Sequence, residues 1–145
     1  MVNSIKKGGD RDVRLQITKP ARASGLVHED ANGDPTELAD VQVYSFDNLL
    51  FVIDQRISMA TRADLVAKLA SYTDSIHDGQ SGTVSIAGDG YQINLPAARK
   101  AGFHIGDPAP IVTADGTLLI HTDETYRIAQ DVATIRDESM GQQSL

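Results

Sequence analysis

Apolar and polar residues alternate from Val13 to Thr18, with Val13, Leu15 and Ile17 on one side and Arg14, Gln16 and Thr18 on the other. A period of two predicts a half-buried strand with a polar outer row. Pro20 can then open a helix of one or two turns, which Gly25 can end. His28 to Asp40 is polar, and Asn32-Gly33-Asp34-Pro35 within it marks a turn or loop. Two apolar runs, Val41 to Tyr44 and Leu49 to Ile53, flank Ser45-Phe46-Asp47-Asn48 and read as a hairpin. The period then lengthens. Met59, Leu65, Leu69, Tyr72 and Ile76 predict an amphipathic helix from Ala60 to Ile76, with Ser58 or Thr61 as N-cap and Gly79 past its end.

Strand character returns at Thr83 to Ala87, turns at Gly88-Asp89-Gly90 and continues from Tyr91 to Leu95. Pro96 to Ala101 reads as a short helix and Gly106-Asp107 as a turn. Residues 109–112 and 117–121 form a second hairpin through Asp115-Gly116, a pair favoured in type I′ turns. Thr125 to Arg136 carries Ile128, Val132 and Ile135 on one helical face, and Asp137 to Leu145 reads as frayed.

These elements occur twice in the same order. Leu15-Gln16-Ile17-Thr18-Lys19-Pro20 has its counterpart in Tyr91-Gln92-Ile93-Asn94-Leu95-Pro96, and each copy leads to a hairpin. Two copies cannot form a solenoid, but one chain can build a two-fold pseudo-symmetric unit from them. The expected organisation is a flexible basic leader (1–10), a first repeat (11–57), a connecting helix (58–80), a second repeat (81–123) and a helical tail with a frayed end (124–145). The fold class that follows is α+β, mainly β.

Composition narrows the picture. The chain has 145 residues and no cysteine, so disulfides and thiolate chemistry are excluded. No apolar run approaches the ~18 residues of a membrane span, and no secretory signal is visible, so a cytoplasmic address and no membrane partner are expected. Acidic residues number 20, of which 16 are Asp, against 13 basic residues, of which 5 are Lys, for a net charge of −7. This Asp-rich, Lys-poor usage resembles proteins of salt-accumulating halophiles, in which screening by concentrated salt lowers the cost of repulsion. The charge is uneven. Residues 1–22 carry a net +4 and the remainder −11, which points to a polyanionic partner at the basic end.

The second copy carries Gln92-Ile93-Asn94-Leu95-Pro96, Arg99, Gly102, Gly106-Asp107 and Asp115-Gly116. The first carries Gln16-Ile17-Thr18, Pro20, Arg22, Gly25 and the hairpin around Asp47-Asn48. This constellation resembles the SpoVT/AbrB-like swapped-hairpin family and covers about half the chain. The Arg follows its Pro by three residues in the second copy and two in the first, closer than the family pattern has it. The resemblance implies a pseudo-two-fold swapped-hairpin barrel of two strand–short helix–hairpin repeats, equivalent to a fused dimer. It also implies DNA binding for transcriptional control.

The residues themselves support a basic, hydrogen-bonding surface. Arg11, Arg14, Lys19 and Arg22 can neutralise phosphates, and Gln16 on the outer row can read base edges. Gln92 and Asn94 form the uncharged counterpart row, with Arg99 and Lys100 beyond. The expected partner is therefore double-stranded DNA, with a homodimer left open. The alternative is an antitoxin-like or adaptor module that binds a protein through the connecting helix and the tail. Catalysis is not expected: His28, His77, His104 and His121 lie on unrelated elements, and no phosphate-loop spacing of glycines occurs. Asp30, Asn32 and Asp34 are spaced as in a calcium loop, but Val41 stands where the closing Glu of an EF-hand belongs. No metal and no cofactor is expected.

Overall fold

The computed structural model of the protein describes residues 6–7, 13–72, 76–88, 90–95, 98–99 and 101–143, with the backbone alone at 6–7, 13, 76–80 and 139–143. It is an α+β structure, mainly β, with antiparallel sheets. A four-stranded sheet runs in the order β1 (Lys6–Lys7), β2 (Val13–Gln16), β9 (Gly90–Leu95), β8 (Ser85–Ala87). A five-stranded sheet runs in the order β10 (Ile111–Ala114), β11 (Thr117–His121), β6 (Leu49–Asp54), β5 (Asp40–Phe46), β7 (Ile76–Thr83). A small hairpin, β3 (Val27–Glu29) with β4 (Pro35–Leu38), forms a two-stranded sheet of its own. The helices are α1 (Thr18–Ser24), α2 (Met59–Ala70) and α3 (Tyr126–Gln143). No closed barrel is formed among the described residues; the sheets are open.

The pairing registers express the internal repeat. In the four-stranded sheet Gln16 pairs with Gln92, the two equivalent glutamines of the repeat. In the five-stranded sheet Phe51 pairs with Leu119, each the third residue of its own strand. Both sheets therefore carry an antiparallel pair of equivalent strands matched at equivalent residues. The flanking hairpins correspond as well: β1 precedes β2 as β8 precedes β9, and each pairs with its successor.

Two reciprocal hydrogen bonds tie one repeat to the other. α1 stops at Gly25 (φ +80°), whose successor Leu26 donates its N–H to the carbonyl of Ala21 at 3.0 Å. The second copy repeats this stop: Gly102 has φ +97° and Phe103 donates to Ala98 at 3.0 Å. A left-handed residue closing the last turn is a standard helix stop, and glycine occupies it without a Cβ penalty. The N–H of Asn48, in the first hairpin's turn, donates to Ala101 in the second stop at 2.7 Å, while Gly116 in the second turn donates to Ser24 in the first, also at 2.7 Å. Each hairpin tip thus docks on the other repeat.

The middle strands β6 and β11 are buried on both faces, which explains their unbroken apolar runs. On one side Leu50, Val52, Leu118 and Ile120 pack with Leu15, Ile17, Ile93 and Leu95 from the four-stranded sheet, and with Leu26 and Phe103. On the other, Leu49, Phe51, Ile53 and Leu119 pack with Leu65 and Leu69 of α2 and with Ala129 and Val132 of α3. Each helix begins after a four-residue link from its hairpin, so α2 and α3 are themselves counterparts.

Several expectations need correction. The Ala60–Ile76 helix stops at Ala70, because Ile76 pairs with Phe46 and opens β7, a strand the helical spacing concealed. Residues 28–40 are not a plain loop, since they hold β3 and β4 around the Asp30–Asp34 turn. The leader is not wholly free, since Lys6 and Lys7 pair with Arg14 and Val13. In the second copy Ala98, Arg99, Ala101 and Gly102 form turns closed by bonds three residues apart, not an α-helix, while Pro96, Ala97 and Lys100 lie outside the described residues. α3 runs on to Gln143 rather than fraying after Arg136, and no proline interrupts that stretch. Each hairpin turn has positive φ only at its second residue, Asn48 (+61°) and Gly116 (+64°), so Asp115-Gly116 is not type I′, which needs it at both.

The two stops make a paired prediction. Gly25→Ala costs roughly 1–2 kcal/mol from backbone strain alone, because no atom lies within 4 Å of the added Cβ. Gly102→Ala costs more, because its Cβ would stand 3.0 Å from Asn48 Oδ1. Urea denaturation of both variants against the parent measures the difference.

Candidate functional site

The exposed face of the β2–β9 pair is the most built polar surface. Leu15, Ile17, Ile93 and Leu95 turn inward, so Arg14, Gln16, Gln92 and Asn94 share the opposite side. The register sets Arg14 across from Asn94 and Gln16 across from Gln92, with Ser85 of β8 across from Gln92. Directly opposed side chains in such a pair stand within about 4.5–5.5 Å at Cβ, close enough to act as one surface. A shallow cleft of about 230 Å³ is lined by Arg14, Gln16, Gln92, Ala87 and Gly88. On β1, Lys6 holds the register position opposite Arg14.

This ribbon is held close to α1. The Tyr91 N–H donates to Thr18 Oγ1 at 3.1 Å, and Ile17 N–H to the Tyr91 carbonyl at 2.9 Å. A Cβ on Gly90 would fall 2.2 Å from Thr18 Oγ1, so this approach requires glycine. Gly90 occupies the repeat position of Arg14, and the ribbon consequently carries its charge at one end.

The other predicted residues scatter. Lys19 and Arg99 are exposed, with no side-chain partner among the described residues. Arg11 and Lys100 lie outside the described residues. Arg22 is engaged elsewhere: its Nε donates to Glu29 Oε1 at 2.9 Å and its Nη2 to Glu29 Oε2 at 3.1 Å. Its guanidinium also sits 5.6 Å from the centre of the Tyr91 ring, and the Tyr91 hydroxyl donates to Glu29 Oε2 at 2.7 Å. A bidentate carboxylate and an aromatic face consume the fork that a phosphate would need. Glu29 and Tyr91 are 62 residues apart. No local signal in the sequence joins them.

The cluster shifts all three groups. Hydrogen bonds from Arg22 and then Tyr91 hold the Glu29 carboxyl below its ordinary value. The bond to Glu29, followed by burial, raises the Tyr91 phenol, and the bond to Glu29 raises Arg22. The apolar faces of α2 and α3, which the partner-binding alternative relies on, are turned into the chain's own second core. Met59, Tyr72 and Tyr126 are the large apolar residues these helical regions leave exposed among the described residues. No group of three or more His, Cys, Asp or Glu side chains is placed to hold a metal ion among the described residues. No described helix is long and apolar enough to cross a membrane.

No family model, curated protein or solved structure matches the chain.

The lowered Glu29 carboxyl has a pH signature. Its contribution to stability is fully present above the ordinary carboxyl value of 4.5 and is lost as pH falls through the lower folded value. Thermal melts of the parent and Glu29→Gln should differ most above that range and converge as acid protonates Glu29. A gap that stays constant down to strong acid would contradict this account.

Proposed function

We propose that the protein is a DNA-binding transcriptional regulator that meets duplex DNA with the β2–β9 ribbon. One observation carries the reading: the antiparallel register aligns Arg14, Gln16, Gln92 and Asn94 on one exposed face. An antiparallel pair of strands fits a major groove, where amide side chains pair with base edges and arginine with phosphate or guanine. The reciprocal docking of the hairpin tips and the paired equivalent strands support the swapped-hairpin reading of the repeat, with both units in one chain. In this reading Arg14 and exposed Lys19 and Arg99 hold phosphates, Gln16, Gln92 and Asn94 face bases, and Arg22 braces the scaffold. The net charge of −7 does not oppose it, because the ribbon and not the total faces the DNA.

Fluorescence anisotropy with labelled duplexes across a KCl series tests the reading. Binding should weaken with salt, and Arg14→Ala should make the log–log slope shallower by about one unit, the loss of one phosphate contact. Arg22→Ala should leave the slope unchanged, since its charge is already matched by Glu29. Gln16→Ala should narrow the preference between duplex sequences at an unchanged slope. Folded protein that binds no duplex at any salt removes the regulator reading.

A further inference from the structure

Every strand of the second repeat's share of the large sheet has a counterpart in the first, but β7 has none among the described residues. β7 covers the outer edge of β5, pairing Asp40 with Thr83, Val41 with Gly82 and Gln42 with Ser81. Its side chains seal that edge: Thr83 Oγ1 donates to Asp40 at 2.9 Å, and Gln42 Nε2 donates to Ser81 Oγ at 3.0 Å. The matching edge in the second repeat belongs to β10, and β10 ends the sheet with no strand beyond it among the described residues.

We infer that the outer edge of β10, beyond which no strand lies among the described residues, is a docking slot for an extended, basic segment of a partner protein, which adds a strand where β7 sits in the first repeat. The backbone is prepared for it. Pro110 offers its carbonyl inward to the His121 N–H at 3.0 Å, and Val112 and Ala114 pair with Leu119 and Thr117 of β11. By alternation the N–H and C=O groups of Ile111 and Thr113 point to the outer edge, and both residues are only half-buried. Pro110 is in inward register, so its missing N–H does not interrupt the outer row.

The side chains indicate what kind of strand fits. At the start of β10 lies a groove of about 410 Å³, lined by Phe103, Pro108, Pro110 and Thr122 together with Asp107 and Asp123. The register equivalents of Pro108 and Pro110 in the first repeat are Asp40 and Gln42, the residues that meet Thr83 and Ser81 of β7. An apolar floor edged by two carboxylates, with no basic side chain in the lining, suits a strand whose apolar residue enters the groove while a flanking lysine or arginine meets the aspartates. A second copy of this chain carries −11 over residues 23–145, so outside its basic N-terminal segment it brings the wrong charge.

The test uses the full-length labelled chain and an acetylated seven-residue peptide of alternating valine and threonine flanked by lysines. The peptide should bind and slow amide exchange at Ile111 and Thr113. Methylating its backbone nitrogens on the pairing edge should weaken binding about tenfold, as expected for lost main-chain hydrogen bonds. Replacing its lysines by glutamates should weaken it by a similar factor, and Asp107→Asn with Asp123→Asn should erase that preference without altering the fold. Binding that leaves Ile111 and Thr113 exchange unchanged, or that ignores N-methylation, overturns the proposal, as does failure to bind. Protection of those amides in the free chain also overturns it, sedimentation then separating a second copy from the chain's own N-terminal residues as the occupant.

Discussion

The pairing of β6 with β11 is the constraint on which the rest depends. These strands run through the middle of the molecule with apolar side chains on both faces, so each must be covered twice. One covering is the four-stranded sheet and the other is the pair of helices. Matching Phe51 with Leu119 sets the two repeats in antiparallel register. A slip of one residue would exchange the faces and send Leu50 and Val52 into the helical layer, where the space is shaped for Leu49, Phe51 and Ile53.

That register also decides how the repeats hold each other. Because the hairpins run antiparallel, each tip reaches the glycine-closed turn of the opposite copy, and the Asn48–Ala101 and Gly116–Ser24 bonds become possible together. The polar ribbon follows from the same geometry. Gln16 meets Gln92 because β2 and β9 are brought together over the common core, and Arg14 meets Asn94 for the same reason. The interface proposed for DNA is thus a consequence of repeat pairing.

The departures from two-fold symmetry are where the proposed functions concentrate. The β3–β4 insertion brings Glu29 to Arg22 and Tyr91 and removes one arginine from the basic surface. Gly90 in place of an arginine lets the ribbon approach Thr18 and leaves the charge at one end. β7 covers one sheet edge, while its counterpart has no strand beyond it among the described residues. A duplicated unit in one chain can differ between its halves in ways that two identical chains cannot.

The strand at the start of the alternation at 13–18, the apolar runs at 41–44 and 49–53, and the repeat itself were legible in the sequence, because strand burial leaves a local pattern of side chains, although the strand ends at Gln16 and Thr18 opens α1. Gly25 was legible as a helix stop for the same local reason, as only glycine takes that backbone shape freely. The chain alone did not reveal β7, because Ile76 satisfies a helical spacing and a strand equally well until Phe46 is seen beside it. Nor did it reveal the fate of Arg22. Its partners come from an insertion and from the other repeat, and pairing over such separations is decided by tertiary packing, which brings a carboxylate and an aromatic ring to a guanidinium that would otherwise face water.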